Sequence, residues 1–166
     1  MQPIVITGFM GSGKSRVARE IARRLNLAVI DLDERITTRT GRSPAQLIVE
    51  DGEAAFRLVE TEMLREVLQN NEAKVIALGG GAWIQPANRE LVEQYGCLSV
   101  WLDVPFEMCW SRIAASEEER PLGKTREEAR LRYEQRRPVY ELAQLHIECR
   151  EETFEELVSR IITSFS

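Results

Sequence analysis

At 166 residues, 43% hydrophobic and 30% charged, the chain has material for one globular core and not for a second, which excludes the larger motor and transporter ATPases. A formal net charge of −5 excludes broad binding to nucleic acid or an anionic membrane, so small molecules are the expected partners. Three widely spaced cysteines without a Cys-x-x-Cys pairing suit a reducing cytosol; with no apolar run of membrane-spanning length and no signal peptide before the first strand, a cytoplasmic location is expected.

Short apolar runs alternate with longer segments of helical period. Strands are expected at 4–7, 28–31, 75–78, 98–102 and 145–148, apolar throughout for the most part, as in a sheet covered on both faces. Alternating strands and helices predict a mostly parallel sheet with ligands beyond the carboxyl ends of its strands.

The first strand leads into the run 8–15, Gly-Phe-Met-Gly-Ser-Gly-Lys-Ser, and a helix follows. Strand, glycine-rich loop and helix in that order form a P-loop. The expected nucleotide-binding residues are Gly11, Ser12, Gly13, Lys14, Ser15 and Arg16. Their backbone N–H groups would close on a polyphosphate, with Lys14 adding positive charge and Ser15 offering a hydroxyl to magnesium. A nucleoside triphosphate with magnesium is the expected ligand.

The second strand is expected beside the P-loop strand and ends in Asp31-Leu-Asp33. On an extended segment both carboxylates share a side, one facing magnesium and the other an acceptor hydroxyl; a turn or helix cap is the alternative use of such aspartates. Gly41 marks a helix stop, Ser43 followed by Pro44 a helix start, and Asn88 a further start. Arg57 places a guanidinium at the mouth of the site, or is a solvated surface charge. Gly79, Gly80 and Gly81 follow the third strand and would use positive φ to bring bare backbone N–H groups against a ligand. The polar segment 114–128 reads as a lid carrying Arg120, which would neutralise developing charge and help exclude water. The next helix ends with Arg136, a planar guanidinium suited to bidentate capture of a carboxylate.

Taken together, the P-loop run, Asp-x-Asp at 31 and 33, Gly-Arg-Ser at 41–43, Asp-Gly-Glu at 51–53 with Phe56 and Arg57, the glycine triplet, Arg-Pro-Leu at 120–122 and Arg-x-Pro-x-Tyr at 136–140 resemble shikimate kinase over nearly the whole chain. The resemblance implies an α/β, three-layer P-loop kinase fold with a five-stranded parallel sheet. It implies a single domain over 1–166, with a substrate-binding helical region at about 33–60 and a lid at about 114–126. The implied reaction moves the γ-phosphate of ATP to the 3-hydroxyl of shikimate. By the same resemblance Lys14 holds the β- and γ-phosphates, Ser15 and Asp31 serve magnesium, and Asp33 orients or deprotonates the attacking hydroxyl. Arg57 and Arg136 grip the carboxylate, Gly80 touches the ring, and Arg120 reaches the phosphates; a monomer is expected.

Arg16 departs from the pattern by standing where a threonine is usual, which removes a hydroxyl contact to the α-phosphate and leaves the backbone N–H. Arg112 and Arg150 are candidates for the adenine, or surface charges. His146 is expected to be structural and half-buried, Trp83 to be the tryptophan with a chance of lining the substrate pocket, and the last helix to pack on the sheet through Phe154, Leu157, Val158, Ile161 and Ile162. A kinase for another small acceptor, such as gluconate or a nucleoside monophosphate, and a non-catalytic ATP-binding module are the alternatives. A GTPase is disfavoured because no Asn-Lys-x-Asp element is present.

Overall fold

The computed structural model describes residues 1–116, 121 and 124–166. Arg120 and the tip of the expected lid lie outside the described residues. In chain order the described elements are β1 (Ile4–Thr7), α1 (Lys14–Leu25), β2 (Val29–Asp31), α2 (Leu32–Thr40), α3 (Pro44–Asp51), α4 (Glu53–Gln69), β3 (Val75–Ala77), a 3-10 turn (Ala82–Ile84), α5 (Pro86–Gln94), β4 (Leu98–Asp103), α6 (Phe106–Ala115), α7 (Arg126–Tyr140), β5 (Leu145–Glu148) and α8 (Phe154–Ser164).

All pairings are parallel, and the strand order is β2-β3-β1-β4-β5. The strand after the P-loop helix is therefore an edge strand, and β3 lies between it and β1, which corrects the expectation that β2 adjoins the P-loop strand. The glycine triplet that follows β3 is thereby set between the aspartates and the P-loop.

Period-2 alternation divides the strand side chains between two cores. Ile4, Ile6, Val75, Ala77, Val100 and Leu102 face α1 and α8, where Val17, Ile21, Val158 and Ile161 are buried. Val5, Ile76 and Trp101 face the other way, onto Leu64 and Val67 of α4, Leu91 of α5 and Tyr140 of α7. Burial on both faces is why these strands read as continuous apolar runs. The amphipathic last helix packs on the sheet as its apolar face requires.

Local signals set most boundaries. Gly41 ends α2 at φ 73°, and Ser43 and Gln46 form a capping box on α3 with Pro44 in its first turn. Asn88 is not a cap. Pro86 already occupies the first turn of α5, with Gln85 as the capping residue, and Asn88 is fully buried inside that helix. No helix among the described residues is long and apolar enough to cross a membrane.

Candidate active site

The loop after β1 gets its shape from glycines that other residues could not replace. Gly11 and Gly13 have φ of 76° and 88°, and a Cβ on Gly11 would lie 2.6 Å from the Cys109 carbonyl oxygen. Gly13 caps α1 without a side-chain bond, and no acidic residue stands in the first turn. The first-turn N–H groups and the positive helix end thus face the loop's concavity, an arrangement suited to an anion. Lys14 is buried here, its Nζ donating to the carbonyls of Gly8 (2.8 Å) and Phe9 (2.9 Å).

Within the run Gly11 to Arg16, Ser12 is set apart as the most buried residue. It is only 4% exposed and lines no pocket with its neighbours. Its backbone N–H donates to the Phe9 carbonyl at 3.1 Å, closing the turn that shapes the loop. The side chain points inward as well, toward Gly8, where an added Cβ would lie 2.9 Å from the Ser12 hydroxyl oxygen. That buried hydroxyl has no hydrogen-bond partner among the described residues. Ser12 is thus part of the loop's frame, and the pocket wall is formed by Gly11 and by Gly13 to Arg16.

Ser15 meets Asp31 across the pocket, its hydroxyl donating to one carboxylate oxygen. The other oxygen of Asp31 accepts from the Glu34 backbone N–H at 3.1 Å, capping α2. Cap and pocket residue are thus one side chain. The extended geometry expected for Asp-x-Asp does not persist, because α2 begins at Leu32 and places Asp33 in its first turn. Asp33 still reaches the cleft, since Gly79 leaves it room: a Cβ there would lie 2.6 Å from Asp33 Oδ1.

The glycine triplet works by close approach and not by positive φ. None of its members is among the positive-φ residues, and Gly81 has an ordinary φ of −106°. A Cβ on Gly81 would sit 2.3 Å from an Arg57 guanidinium nitrogen, so the missing side chain admits Arg57 to the cleft.

Arg57 is held by Glu60 at 2.9 Å and, more loosely, by Glu53 at 3.4 Å, while its buried Nε has no hydrogen-bond partner among the described residues. Burial pushes the Glu60 carboxyl up to about 7, against the pull of Arg57. Arg136 comes from α7 and is only 8% exposed. Burial depresses its pKa; Tyr140 opposes this, and Arg57 and Arg132 repel it. A buried guanidinium without a carboxylate partner among the described residues is costly unless an anion arrives. The Tyr140 phenol, pushed up to about 12 by burial, donates to the Gly80 carbonyl at 2.5 Å and ties α7 to the triplet.

Two adjoining pockets result. One is lined by Gly11, Gly13, Lys14, Ser15, Arg16 and Asp31; the other by Arg57, Glu60, Gly81 and Arg136, with Pro44, Ile48, Phe56 and Pro121 as its apolar side. Met10, Asp33, Gly79 and Gly80 belong to both walls. Widely separated residues thus converge on one cleft at the carboxyl ends of β1, β2 and β3.

The family model described as SKI: Shikimate kinase matches residues 10–166. The chain belongs to the shikimate kinase family. A shikimate kinase of Salinibacter ruber is 39% identical over 170 residues, covering 96% of this chain and 82% of the relative. Among solved structures, shikimate kinase from Acinetobacter baumannii in complex with shikimate superposes with a TM-score of 0.89 at 31% identity, over 99% of this chain and 92% of that one. Shikimate kinase from Aquifex aeolicus gives a TM-score of 0.83 at 34% identity, over 98% and 95% of the two chains.

Other expectations for a shikimate kinase divide. Arg16 lines the phosphate-side pocket, but its guanidinium stacks on Phe154, 3.8 Å from the ring centroid. Arg112 donates to the Gly11 carbonyl at 3.0 Å and so stands at the loop's rim, whereas Arg150 lines neither pocket. Trp83 is core and not pocket: it is 3% exposed and its indole N–H donates to the Val139 carbonyl at 3.0 Å. His146 is structural, stacked on Trp101 and 2.7 Å from Asp103, which also pairs with Arg137. Sequence reasoning missed Glu60; its place three residues after Arg57 on a helix was the available signal.

Proposed function

We propose that the two pockets receive the two substrates of ATP-dependent shikimate phosphorylation, a step in aromatic biosynthesis, and that Asp33 stands where they react. The supporting observation is the shared wall: Asp33, Gly79, Gly80 and Met10 line both the pocket of the P-loop and the pocket of Arg57 and Arg136.

In this reading the triphosphate lies on the backbone N–H groups of Gly11 and of Gly13 to Arg16, and Lys14 exchanges its bonds to the Gly8 and Phe9 carbonyls for phosphate oxygens. The Ser15 hydroxyl and Asp31 carboxylate, already in contact, form a hard oxygen pair that fits magnesium, which supplies charge neutralisation at the β- and γ-phosphates when bound with the nucleotide. Arg57 and Arg136 take the shikimate carboxylate, using the Nε of the first, which has no hydrogen-bond partner among the described residues, and the guanidinium of the second, which has no carboxylate partner among them. Gly80 and Gly81 let the ring lie close to backbone.

Asp33 would hydrogen-bond the 3-hydroxyl and orient or accept its proton, as the oxygen attacks phosphorus and the bond to the β-phosphate oxygen breaks to release ADP. No protein nucleophile takes part. Holding acceptor oxygen and phosphorus in line contributes on the order of 7–11 kcal/mol of barrier reduction. By its Arg-Pro-Leu motif Arg120 is assigned to the phosphates, from a lid at about 114–126; the substrate-binding helical region is assigned to about 33–60. The protein would act as a cytoplasmic monomer, a setting that its free thiols suit.

Purified protein given ATP and magnesium should release ADP only when shikimate is added, with mass-spectrometric appearance of shikimate 3-phosphate. Turnover on gluconate or a nucleoside monophosphate but not on shikimate would defeat the acceptor assignment, and nucleotide binding without turnover on any acceptor would defeat catalysis.

A further inference from the structure

Asn88 is completely buried in α5, outside both pockets, yet each end of its amide is engaged. Its Nδ2 donates to the Ala82 carbonyl at 2.9 Å, in the 3-10 turn that continues the glycine triplet, and its Oδ1 accepts from the Thr61 hydroxyl of α4 at 2.7 Å. Thr61 follows Glu60 and lies one helical turn beyond Arg57. The amide therefore bridges the turn that floors the acceptor pocket and the helix that supplies its guanidinium.

That spacing has little tolerance. The Arg57 guanidinium lies where a Gly81 Cβ would approach to 2.3 Å, so a small shift of the turn toward α4 would displace it, and a shift away would open a gap beneath the carboxylate site. The Ala82 N–H donates back to the Gly79 carbonyl at 3.2 Å, so movement at Ala82 passes directly into the triplet. A buried amide that loses a partner leaves polar groups unsatisfied, which favours relaxation of the turn over retention of its place.

We infer that Asn88 is a positioning residue for shikimate binding, fixing the glycine turn against α4 so that Arg57 and the triplet present one rigid carboxylate and ring site. The inference rests on the functional reading above. It predicts a larger effect on shikimate than on ATP, because Asn88 bonds Ala82 and Thr61, which line neither pocket, while Arg57 and Gly81, which depend on that spacing, line the acceptor pocket alone.

The test compares Asn88→Ala, which removes both bonds, Asn88→Asp, which keeps the acceptor but sets a carboxylate oxygen against the Ala82 carbonyl, and Thr61→Val, which removes one hydroxyl with little change of shape. Shikimate KM should rise about tenfold in the Asn88 variants and roughly threefold in Thr61→Val, with ATP affinity and kcat within about twofold of the unaltered protein. Unchanged shikimate KM in a variant that binds ATP normally would overturn the inference, as would a parallel loss of affinity for both substrates. Should the Asn88 variants fail to fold, Thr61→Val decides by the same two measurements. If the unaltered protein does not phosphorylate shikimate, the functional reading fails first; if it does and the variants match it, only the role of Asn88 fails.

Discussion

The two halves of the cleft are built from different materials. The phosphate side is mostly backbone: a loop shaped by left-handed glycines, a helix end and one buried lysine, all within the run 8–15. The acceptor side is mostly side chains, brought from α2, α4 and α7 to a turn whose glycines have ordinary φ and serve by leaving space. A backbone site is local and survives exchange of a side chain such as Arg16. A side-chain site depends on how distant elements are spaced, and one added carbon can disturb it.

The sharpest challenge to this division is at the shared wall. Asp33→Asn should lower kcat by at least ~100-fold while leaving ATP affinity unchanged, because the role proposed for the carboxylate is toward the acceptor. Full activity in a stopped ADP-release assay would remove Asp33 from the reaction. Gly81→Ala should raise shikimate KM by roughly 30-fold, since the intruding Cβ displaces the Arg57 guanidinium, and should also lower the melting temperature, because that guanidinium is paired with the buried Glu60. An equal rise in ATP KM would show that the halves are not independent. Arg136→Ala should raise shikimate KM about tenfold and relieve a buried charge that has no carboxylate partner among the described residues, so it should also be no less stable to urea.

Glu60 sharpens the comparison through pH. Its folded pKa of about 7 lies above the ordinary value of 4.5, so its contribution to stability is fully present below pH 4.5 and is lost as pH rises through about 7. Relative to Glu60→Gln, the unaltered protein should lose roughly 3 kcal/mol of unfolding free energy across that window, measured by urea denaturation at pH 5 and pH 8. A constant difference would mean that Glu60 is ionised throughout. The smallest effect is expected on the backbone side: Arg16→Thr gives up a stack on Phe154 worth about 0.5–1 kcal/mol and should leave ATP KM within twofold.

This contrast also governs what could be read from the sequence. The P-loop was legible because its conformation is written in adjacent residues, and β1, β3 and β4 were legible because two-sided burial makes them apolar, whereas the edge strands β2 and β5 are only partly buried and carry Asp31, His146 and Glu148. Within the loop, membership of the motif does not say which N–H groups face the ligand, and Ser12 spends its own on the Phe9 carbonyl. Asp33, Arg57 and Arg136 could be nominated as types of residue, but their meeting depends on β3 lying between β2 and β1, which short-range pattern does not specify. Asn88 reads as a cap because a polar residue near a helix start carries the same local signal whether it faces solvent or bridges two buried elements. Trp83 reads as a pocket residue because position beside a site says nothing of which way a ring turns. Glu60 is one acid among several on a charged helix, marked in the sequence only by its spacing from Arg57 and in the fold by its burial.

The common boundary formed by Met10, Asp33, Gly79 and Gly80 has a consequence for ligand design. Because the two chambers adjoin at these residues, a molecule that joins a polyphosphate tail to a hydroxylated cyclohexene acid through a short tether should reach into both, on the proposed assignment of the pockets. Its second half would bind at the high local concentration set by the tether, so its affinity should exceed that of the stronger half alone by on the order of 10²–10⁴.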